Sequence, residues 1–562
     1  MIFKKNNSFI KKYFLKEIFF LLIVLFISIF STIATLPVLD RDEARFVQSS
    51  RQMIETNNYT NIKFQEEYRS KKPIGIYWMQ SFFVKNTSEV LKIDNKSNKI
   101  NNDHIWKYRM ISALSSLASI IILFYLTNKL ISRDIALLAS LSLAASFLFV
   151  TEAHIAKTDS VLLTCSILVM LTMAGYYFRF FDKKNVFSFF MLWLSLAMSI
   201  LIKGPILLIM CVVSSVFIIV LKKDINWLKN TSPLRGFILL LTIILPTFYL
   251  LISTGQENFI QESIINDFFN KIISVQEKHS AFLGAHSLST WLLFFPMSIF
   301  LIPTFLFVKK SFSNKKVFFF SSWILPNLLI LELIPTKLPH YTLPLYPALS
   351  ILVAMMLFNE KNIERILKNK VSLLGYLFFL IITSALIIAL GLGVYKLGNL
   401  DLKITLLTTI LFLLNILSIY LLYKKKISTL FNYQIFISTI LYLSIFLVYL
   451  PNMKQIWVSK RIKESLNVDY KSMDSRYIYA LGYNEPSLVF AIGTNLNILK
   501  NLDKTVLKSK NLKYLILEQK YYENFIEIVQ NNDIKYILID KIKGFNSARS
   551  IPVEVNILKI FN

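Results

Sequence analysis

Residues 373–392 read LLGYLFFLIITSALIIALGL, a run of apolar and small residues without a charged side chain. A helix needs about 20 such residues to cross the hydrocarbon core of a bilayer, so this stretch predicts a membrane-spanning helix. Similar runs recur along the chain, for example around residues 19–30. The sequence is therefore that of a polytopic membrane protein.

The composition agrees with this interpretation. Of the 562 residues, 55% are hydrophobic and 17% are charged, and the mean hydropathy is +0.54. These values exclude an intrinsically disordered chain, a coiled coil and a disulfide scaffold. The two cysteines, Cys165 and Cys211, both lie inside apolar runs, which indicates small core residues rather than a structural disulfide.

Thirteen spans are predicted, which makes the fold class an all-α polytopic membrane protein. The first apolar stretch is too long for a signal peptide and lacks an obvious cleavage site, so it is interpreted as a retained span. The spans lie near residues 14–36, 108–128, 134–151, 159–178, 186–202, 204–221, 236–254, 289–308, 316–334, 340–358, 372–395, 403–423 and 430–451.

The net charge is 62 − 34 = +28, and its distribution predicts the orientation of the chain. Basic residues concentrate in every second loop, as they do where positively charged loops stay on the cytoplasmic side of a membrane. This pattern predicts an inside N-terminus and an outside C-terminus. The basic loops also favour contact with anionic membrane lipids, and no basic soluble module suggests binding to nucleic acid.

Two long loops are predicted on the outer side. Residues 37–106 form the first outer loop, with weak helical patterns over Asp42–Asn57 and Ile74–Val84. Residues 255–288 form the second.

The polar tail, residues 452–562, alternates strand-like runs with helix-like stretches. This pattern predicts a small α/β domain outside the membrane, following a transmembrane domain over residues 1–451. The strand-like runs are Tyr514–Leu517, Tyr536–Ile539 and Val553–Ile557.

The first outer loop opens with LPVLDRDEARF, residues 36–46, directly after a predicted span. On a helix that begins near Asp42, Asp42 and Arg45 share one face. A capping carboxylate with solvated charges at a helix entrance is one interpretation. The other is catalytic: Asp42 or Glu43 at a lipid–water boundary can accept a proton, and Arg45 can hold a lipid-linked phosphate.

The same loop continues with a basic cluster that runs into an aromatic segment, YRSKKPIGIYW, residues 68–78. Tyr77, Trp78 and the lysines suit an ordinary interfacial anchor. Alternatively, Lys72 binds a phosphate at a fixed point beside Pro73.

A short outer loop, EAHIAKTD, precedes the fourth span. Its Asp159 stands at the edge of an apolar run, where an ionised group is costly unless it is paired or functional. A helix N-cap at Thr158 or Asp159 is the alternative interpretation.

Two further outer turns interrupt apolar sequence. The first contains Lys203, and the second contains Lys337, His340 and Tyr341. All of these clusters fall on the predicted outer side, where acids lie beside aromatic and basic residues. The sequence therefore predicts an outward-facing site assembled from several loops.

Together these motifs resemble the lipid-linked sugar transferases of the GT-C fold, particularly the bacterial lipid A aminoarabinose transferases (ArnT) and their relatives, the protein O-mannosyltransferases. The resemblance covers about residues 30 to 350 and rests on the order and separation of several motifs. These motifs are Asp42–Phe46, Ser50–Met53, Lys72–Ile74 with Tyr77–Trp78, the Lys203–Gly204 turn and Lys337–Tyr341.

The resemblance implies transfer of a sugar, with inversion, from a polyprenyl-phosphate donor to a lipid or glycan acceptor in the envelope, on the periplasmic side of the bacterial inner membrane. Asp42 resembles the catalytic carboxylate of that family, and Asp159 resembles its second acid. The implied carrier-phosphate ligands are Arg45, Lys72, Tyr341, Lys203 and Lys337, and the implied sugar or acceptor contacts are Tyr77, Trp78 and His340.

Two positions depart from the aminoarabinose transferases. An acidic residue usually precedes the lysine of their Lys-Pro pair, whereas this chain has Lys71. Their histidine in the second outer loop has no clear counterpart in residues 263–272, although His279 and His286 follow. A divalent metal therefore stays open, as does the identity of the donor sugar.

Two alternatives stay open at this stage. Within the same enzyme class, the acceptor can be a protein, as in the O-mannosyltransferases. In another class, a flippase for a lipid-linked sugar would place polar residues in mid-span around a central cavity. The spans here are nearly free of charge and the acids lie at their outer ends, which favours the transferase.

Overall fold

The computed structural model describes residues 22–24, 26–27, 29–69, 71–87, 103–254, 261, 281–358, 366–367, 369–423, 427–470 and 474–561. The described chain is mainly helical, with a small sheet near its C-terminus. The helices before residue 260 are α1 (Leu22–Thr32), α2 (Asp42–Glu55), α3 (Gly75–Thr87), α4 (Ile105–Leu130), α5 (Arg133–Ala144), α6 (Phe147–Ala153), α7 (Asp159–Tyr177), α8 (Val186–Lys203), α9 (Ile206–Lys222), α10 (Asn226–Lys229) and α11 (Pro233–Ser253).

The later helices begin after the second outer loop, most of which lies outside the described residues. They are α12 (Ala285–Leu293), α13 (Leu301–Ser311), α14 (Lys315–Leu333), α15 (Tyr346–Leu357), α16 (Lys370–Leu397), α17 (Leu402–Tyr423), α18 (Ile427–Ser444), α19 (Leu450–Asn452), α20 (Val458–Tyr470), α21 (Pro486–Ile492), α22 (Lys504–Leu507) and α23 (Tyr522–Gln530).

Within the described residues, nine helices are long and apolar enough to cross a membrane. A tenth span results if α5 and α6, which meet at 64°, are counted together. The other predicted spans correspond to the shorter helices α1 and α9 and to the interrupted pair α12 and α13. Pro296 stands between α12 and a 3-10 turn at Met297–Phe300, and proline cannot continue a regular helix there. The count of thirteen spans stays a prediction.

The core lies around α7, which is almost entirely buried, whereas α16 and α17 expose most of their apolar surface. A helix that is apolar on all sides and exposed to the surroundings is typical of contact with lipid. The burial pattern therefore places α7, and the EAHIAKTD loop that leads into it, at the centre of the bundle.

The first outer loop contains the two helices that its sequence predicts. Helix α2 covers the pattern over Asp42–Asn57, and α3 covers the pattern over Ile74–Val84. A short hairpin, β1 (Lys63–Phe64) with β2 (Glu67–Tyr68), lies between them. The loop is thus a folded layer rather than an extended connection.

The tail forms a five-stranded mixed sheet, so the predicted α/β region is confirmed. The strands are β3 (Ile478–Leu481), β4 (Asn497–Leu499), β5 (Tyr514–Glu518), β6 (Lys535–Asn546) and β7 (Ile551–Phe561). Their order in the sheet is β4-β3-β5-β7-β6, with parallel pairs among the first three strands and antiparallel pairs at β5–β7 and β7–β6. The three predicted strand-like runs fall within β5, β6 and β7.

The tail packs directly on α2 of the first outer loop. The Arg51 guanidinium donates a hydrogen bond to the backbone oxygen of Phe490 at 3.0 Å, and the Thr494 hydroxyl donates to Glu55 at 2.6 Å. Gln48 donates to the Thr494 hydroxyl at 2.7 Å. These contacts hold the tail against the helix that begins with Asp42.

Candidate active site

A cavity of about 560 Å³ collects most of the motifs that the sequence singles out. We call it the donor cavity. Its walls come from the start of α2, the segment before α3, the α6–α7 loop, the α8–α9 turn and the 3-10 turn Pro339–Leu345. Seven of the eleven predicted site residues line it: Asp42, Arg45, Lys72, Asp159, Lys203, His340 and Tyr341.

The donor cavity is divided between a charged end and an apolar wall. Among its described lining residues, six are cationic, namely Arg45, Arg69, Lys71, Lys72, Lys157 and Lys203, and two are acidic, Asp42 and Asp159. The apolar wall includes Ile200, Ile209, Met210, Phe248, Ile330 and Leu331. This division matches a ligand that has an anionic head and a hydrocarbon tail.

Asp159 lies buried between two lysines at the start of α7. The Lys203 ammonium donates to Asp159 Oδ1 at 2.5 Å, and the Lys157 Nζ lies 4.0 Å from Oδ2. Asp159 is 4% exposed and Lys203 is 8% exposed, so this pair is screened little by water. The N-cap residue Thr158 makes no side-chain capping bond, so capping does not explain this cluster.

Lys157, in the α6–α7 loop, was not predicted as a site residue. Burial acts to lower its pKa, but the carboxylates of Glu152, Asp159 and Asp42 outweigh burial, and the pKa of Lys157 is raised. The lysine is therefore a fixed cation beside both cavity acids. The sequence signal for Lys157 is its place in the EAHIAKTD loop, two residues before Asp159.

Asp42 and Arg45 face the donor cavity from the first turn of α2. Asp42 and Glu43 occupy that turn, where the helix dipole favours negative charge. The preceding residue, Arg41, is the N-cap and makes no side-chain capping bond. Asp42 is thus an exposed carboxylate at a helix start with its side chain on the cavity.

Arg69 is a second residue of the cavity lining that the sequence pattern does not single out. Its Nε donates to the Tyr77 hydroxyl at 3.2 Å, and its guanidinium lies 5.2 Å from the centre of the Phe46 ring. Tyr77 is fully buried and packs against Phe46, with ring centres 5.4 Å apart. The predicted sugar contact Tyr77 therefore lies behind the wall, where it orients Arg69.

Glu43, which the sequence predicts as a catalytic residue, lies outside the lining of the donor cavity. Its two carboxylate oxygens accept hydrogen bonds from the Arg109 guanidinium, both at 2.8 Å. They also accept from the backbone N–H groups of Leu39 and Ala156, each at 2.8 Å. Because both oxygens are occupied and buried, Glu43 serves to join α2, α4 and the α6–α7 loop.

Two further predicted residues also lie away from the cavity lining. Trp78 donates its indole N–H to the backbone oxygen of Tyr59 at 2.7 Å, which anchors α3 to its own loop. The Lys337 ammonium donates to the backbone oxygens of Glu332 and Ile334 at 2.7 and 2.8 Å. Lys337 thus satisfies carbonyl groups at the end of α14, where a cation is favoured.

His340 and Tyr341 complete the charged end of the donor cavity. Their rings meet edge to face with centres 5.1 Å apart, and the Lys203 Nζ lies 5.8 Å from the centre of the Tyr341 ring. An ammonium group at this distance is attracted by the ring face. Tyr341 therefore helps to fix the lysine that pairs with Asp159.

The described residues do not offer a metal site. Among them, no three His, Cys, Asp or Glu side chains come together. The two cavity carboxylates lie among lysines and arginines, which compete with a cation for the same oxygens. His286 is buried near Tyr341, with ring centres 6.4 Å apart, while His279 lies outside the described residues.

Comparison with known proteins agrees with this architecture. Residues 19–254 match the family model described as dolichyl-phosphate-mannose-protein mannosyltransferase. An uncharacterized protein of Aquifex aeolicus is 26% identical over 350 residues, which are 61% of this chain and 73% of the relative. The undecaprenyl phosphate-alpha-4-amino-4-deoxy-L-arabinose arabinosyl transferase of Yersinia pestis is 24% identical over 387 residues, 65% of each protein. The match thus spans just under two thirds of that transferase.

Solved structures reveal the same fold over nearly the whole chain. ArnT from Cupriavidus metallidurans, bound to undecaprenyl phosphate, aligns with a TM-score of 0.72 at 14% identity, covering 96% of this chain and 97% of that protein. The oligosaccharyltransferase of Archaeoglobus fulgidus aligns with a TM-score of 0.54 at 11% identity, covering 92% and 70%. The chain therefore has the fold of ArnT, and its sequence is similar to the protein mannosyltransferase family over residues 19–254 and to the arabinosyl transferases over 65% of its length.

Proposed function

We propose that this protein transfers a sugar from a polyprenyl-phosphate carrier to an acceptor in the cell envelope, with inversion at the anomeric carbon. The observation that carries the proposal is the division of the donor cavity into a cationic end and an apolar wall. A sugar on polyprenyl phosphate has the complementary chemistry: a phosphodiester with a long hydrocarbon chain. The relative from Cupriavidus metallidurans was solved with undecaprenyl phosphate, which supports this ligand class.

The cationic end would act on the leaving group. During transfer the bond between the anomeric carbon and the phosphate oxygen breaks, and the carrier phosphate gains one negative charge. Fixed cations at the place where charge develops stabilise a transition state. Arg45, Lys72 and Lys203 supply such cations, and Asp159 keeps Lys203 oriented through their 2.5 Å contact.

Asp42 is the residue that we assign to the acceptor. A new bond forms between the acceptor oxygen and the anomeric carbon, and the hydroxyl proton must leave. The exposed Asp42 carboxylate at the cavity edge can accept that proton or orient the hydroxyl. Glu43 is a poor substitute because the Arg109 guanidinium and two backbone groups occupy its oxygens.

The orientation in the membrane and the choice of acceptor are proposed from the sequence and its family match. The alternation of loop charges supports a cytoplasmic N-terminus and a periplasmic active site in the bacterial inner membrane. The polyprenyl carrier is the lipid partner, and lipid A or another envelope glycan is the acceptor that we favour. A protein acceptor is the second candidate, because the matching family model is that of protein mannosyltransferases.

The test compares cells that carry the wild-type protein, Asp42→Asn, or no copy. Mass spectrometry of envelope lipids and glycans should detect a sugar increment that requires the protein. Asp42→Asn should lower its formation by at least ~10²-fold, the usual scale for loss of a general base.

The matched control is Asp503→Asn, which makes the same change at the N-cap of α22, outside the cavity. Because asparagine caps helices about as well as aspartate, this variant should transfer normally. Near-normal transfer by a folded Asp42→Asn protein would remove Asp42 from the mechanism. An envelope that is identical with and without the protein would remove the proposed function.

A further inference from the structure

A buried carboxylate stands behind the charged end of the donor cavity. Glu152, near the end of α6, is 5% exposed and lies outside the cavity lining. The Lys157 ammonium, which belongs to the lining, lies 3.3 Å from each of the two carboxylate oxygens of Glu152. A charged group at this depth is costly unless it is paired. Glu152 therefore depends on Lys157 as its partner.

Lys157 stands among three carboxylates. Glu152 holds the ammonium at 3.3 Å, whereas Oδ2 of Asp159 lies 4.0 Å from the same nitrogen. The carboxylate of Asp42 also attracts this ammonium. One ammonium cannot pair closely with all three acids, so the carboxylate that approaches it most closely decides where it stands.

The charged end thus contains two buried ion pairs. Asp159 is paired with Lys203, which donates to its Oδ1 at 2.5 Å, and Glu152 is paired with Lys157. Asp42 lines the cavity at the start of α2 and belongs to neither pair. This division of partners leaves the carboxylate of Asp42 available to a hydroxyl group.

The loop that joins Glu152 to Lys157 is fixed by three other helices. The Ser112 hydroxyl of α4 donates to the backbone oxygen of Ile155 at 2.7 Å, and Gln80 of α3 donates to the next backbone oxygen at 3.3 Å. The Ser160 hydroxyl of α7 donates to the backbone oxygen of Glu152 at 3.0 Å. The pair behind the cavity is therefore held in one geometry before a ligand binds.

Loss of the Glu152 charge would free Lys157 to turn towards the cavity. A contact between this ammonium and Asp42 would occupy an oxygen that the acceptor hydroxyl needs. A contact with the carrier phosphate would strengthen carrier binding, and binding that does not increase in the transition state does not accelerate the reaction. Either movement would improve charge pairing at the expense of transfer.

We propose that Glu152 is a positioning residue of the transfer reaction and that it acts through Lys157. Its carboxylate holds the ammonium away from Asp42 and from the carrier phosphate, so that Asp42 can engage the acceptor hydroxyl. This role rests on the proposed function, because it concerns the same donor cavity.

A double-mutant cycle of full-length proteins tests this role. It compares the wild type, Glu152→Gln, Lys157→Met and the protein with both substitutions. Each purified protein is titrated with labelled undecaprenyl phosphate, and each is expressed at an equal level in cells whose envelope sugars are measured by mass spectrometry. If Glu152 acts through Lys157, its substitution should matter only where Lys157 is present.

The titration should reveal a gain in affinity. Glu152→Gln should bind undecaprenyl phosphate about threefold to tenfold more tightly than the wild type, because the freed Lys157 adds a cation near the phosphate. In the Lys157→Met background, the same change should alter the affinity by less than about twofold. Misfolding does not produce a gain of this kind, and the measurement does not require sugar transfer.

Transfer should fall although carrier binding improves. Glu152→Gln should lower formation of the sugar increment by about 10- to 100-fold, the scale for a misplaced catalytic group. The substitution should cause no further loss in the Lys157→Met background. The matched control is Glu554→Gln, which removes the carboxylate from another Lys–Glu pair, in the tail sheet, and should transfer normally.

The inference would be overturned if Glu152→Gln bound undecaprenyl phosphate no more tightly than the wild type. An equal effect of this substitution with and without Lys157 would also overturn it, as would normal transfer by Glu152→Gln. If Glu152→Gln does not fold, Glu152→Asp, whose carboxylate stands one methylene further from Lys157, takes its place with the same expected gain in affinity. A sugar increment missing from wild-type cells would remove the proposed function, and the four affinities would still decide the role of Glu152.

Discussion

The donor cavity and a second cavity adjoin one turn of chain, yet their charges differ. The second cavity has a volume of about 480 Å³ and is lined by residues 34–40, the start of α4 and parts of the tail. Six cationic side chains face two acids in the donor cavity, whereas two lysines face three acids in the second. A carrier phosphate needs a cationic surface, and of these two cavities the donor cavity has the excess of cationic side chains. The difference teaches that a few residues of chain can separate two cavities of opposite charge balance, provided that the turn between them is rigid.

The rigidity of that turn is the first feature to test. Glu43→Gln should destabilise the protein by about 3–5 kcal/mol, because it leaves the Arg109 charge buried without its partner. The donor cavity should also lose ligand binding, since Glu43 holds the backbone at Leu39 and Ala156. Thermal unfolding of the purified protein measures the stability change.

The control for this variant is Glu554→Gln, which breaks the more exposed pair with Lys541. A surface pair contributes about 0–1 kcal/mol, so this variant should remain close to wild type. If Glu43→Gln were equally mild, the turn would be held by something other than the buried ion pair.

The next prediction concerns the cationic side chains, and it compares single substitutions in the two cavities by their effect on binding of undecaprenyl phosphate. Lys72→Ala and Arg45→Ala should each weaken binding of undecaprenyl phosphate by roughly 1.5–3 kcal/mol, the range for charge-assisted hydrogen bonds. Lys460→Ala removes a lysine from the second cavity and should leave this affinity unchanged. A titration with the labelled lipid measures all three. An equal loss of affinity in all three variants would mean that lysines of the second cavity also contribute to carrier binding.

The smallest expected effect concerns protonation of Asp40. Burial raises the pKa of Asp40 to about 6; hydrogen bonds from Ser487 oppose this shift, and the nearby Glu485 adds to it while Arg41 lowers it. Tyr483 also lies near this carboxyl group. The folded protein then holds the proton more tightly than the unfolded chain, so stability rises as the pH falls from 7 to 5.

That gain should be about 1 kcal/mol and should disappear as the pH rises through about 6. Asp40→Asn should abolish this part of the pH dependence, whereas Glu67→Gln on the exposed hairpin should retain it. Unfolding temperatures at pH 5 and pH 7 provide the measurement. If the Asp40→Asn variant kept the same rise in stability between pH 7 and pH 5, another titratable group would be its cause.

The features that the sequence predicts correctly are those that depend on neighbouring residues. Hydropathy identifies the long spans, and the spacing of Asp42 and Arg45 places both on one helix face. The role of Glu43 could not be predicted, because its partner Arg109 lies 66 residues away. The same holds for Arg69, whose position depends on how Tyr77 and Phe46 pack. The contacts of Glu43 and Arg69 depend on residues far away in the sequence, so the local sequence pattern does not indicate them.

The contribution of the tail to the second cavity has an evolutionary consequence. Among the described residues, the tail supplies several side chains between Ile456 and Glu464, together with Ser487, Phe490, Ala491 and Ser547, to that lining and nothing to the donor cavity. Substitutions in the tail can therefore reshape the second cavity while the lining of the donor cavity stays intact. Proteins of this fold can thus keep one cavity and vary the other, and an exchange of tails between two such proteins should change the second cavity alone.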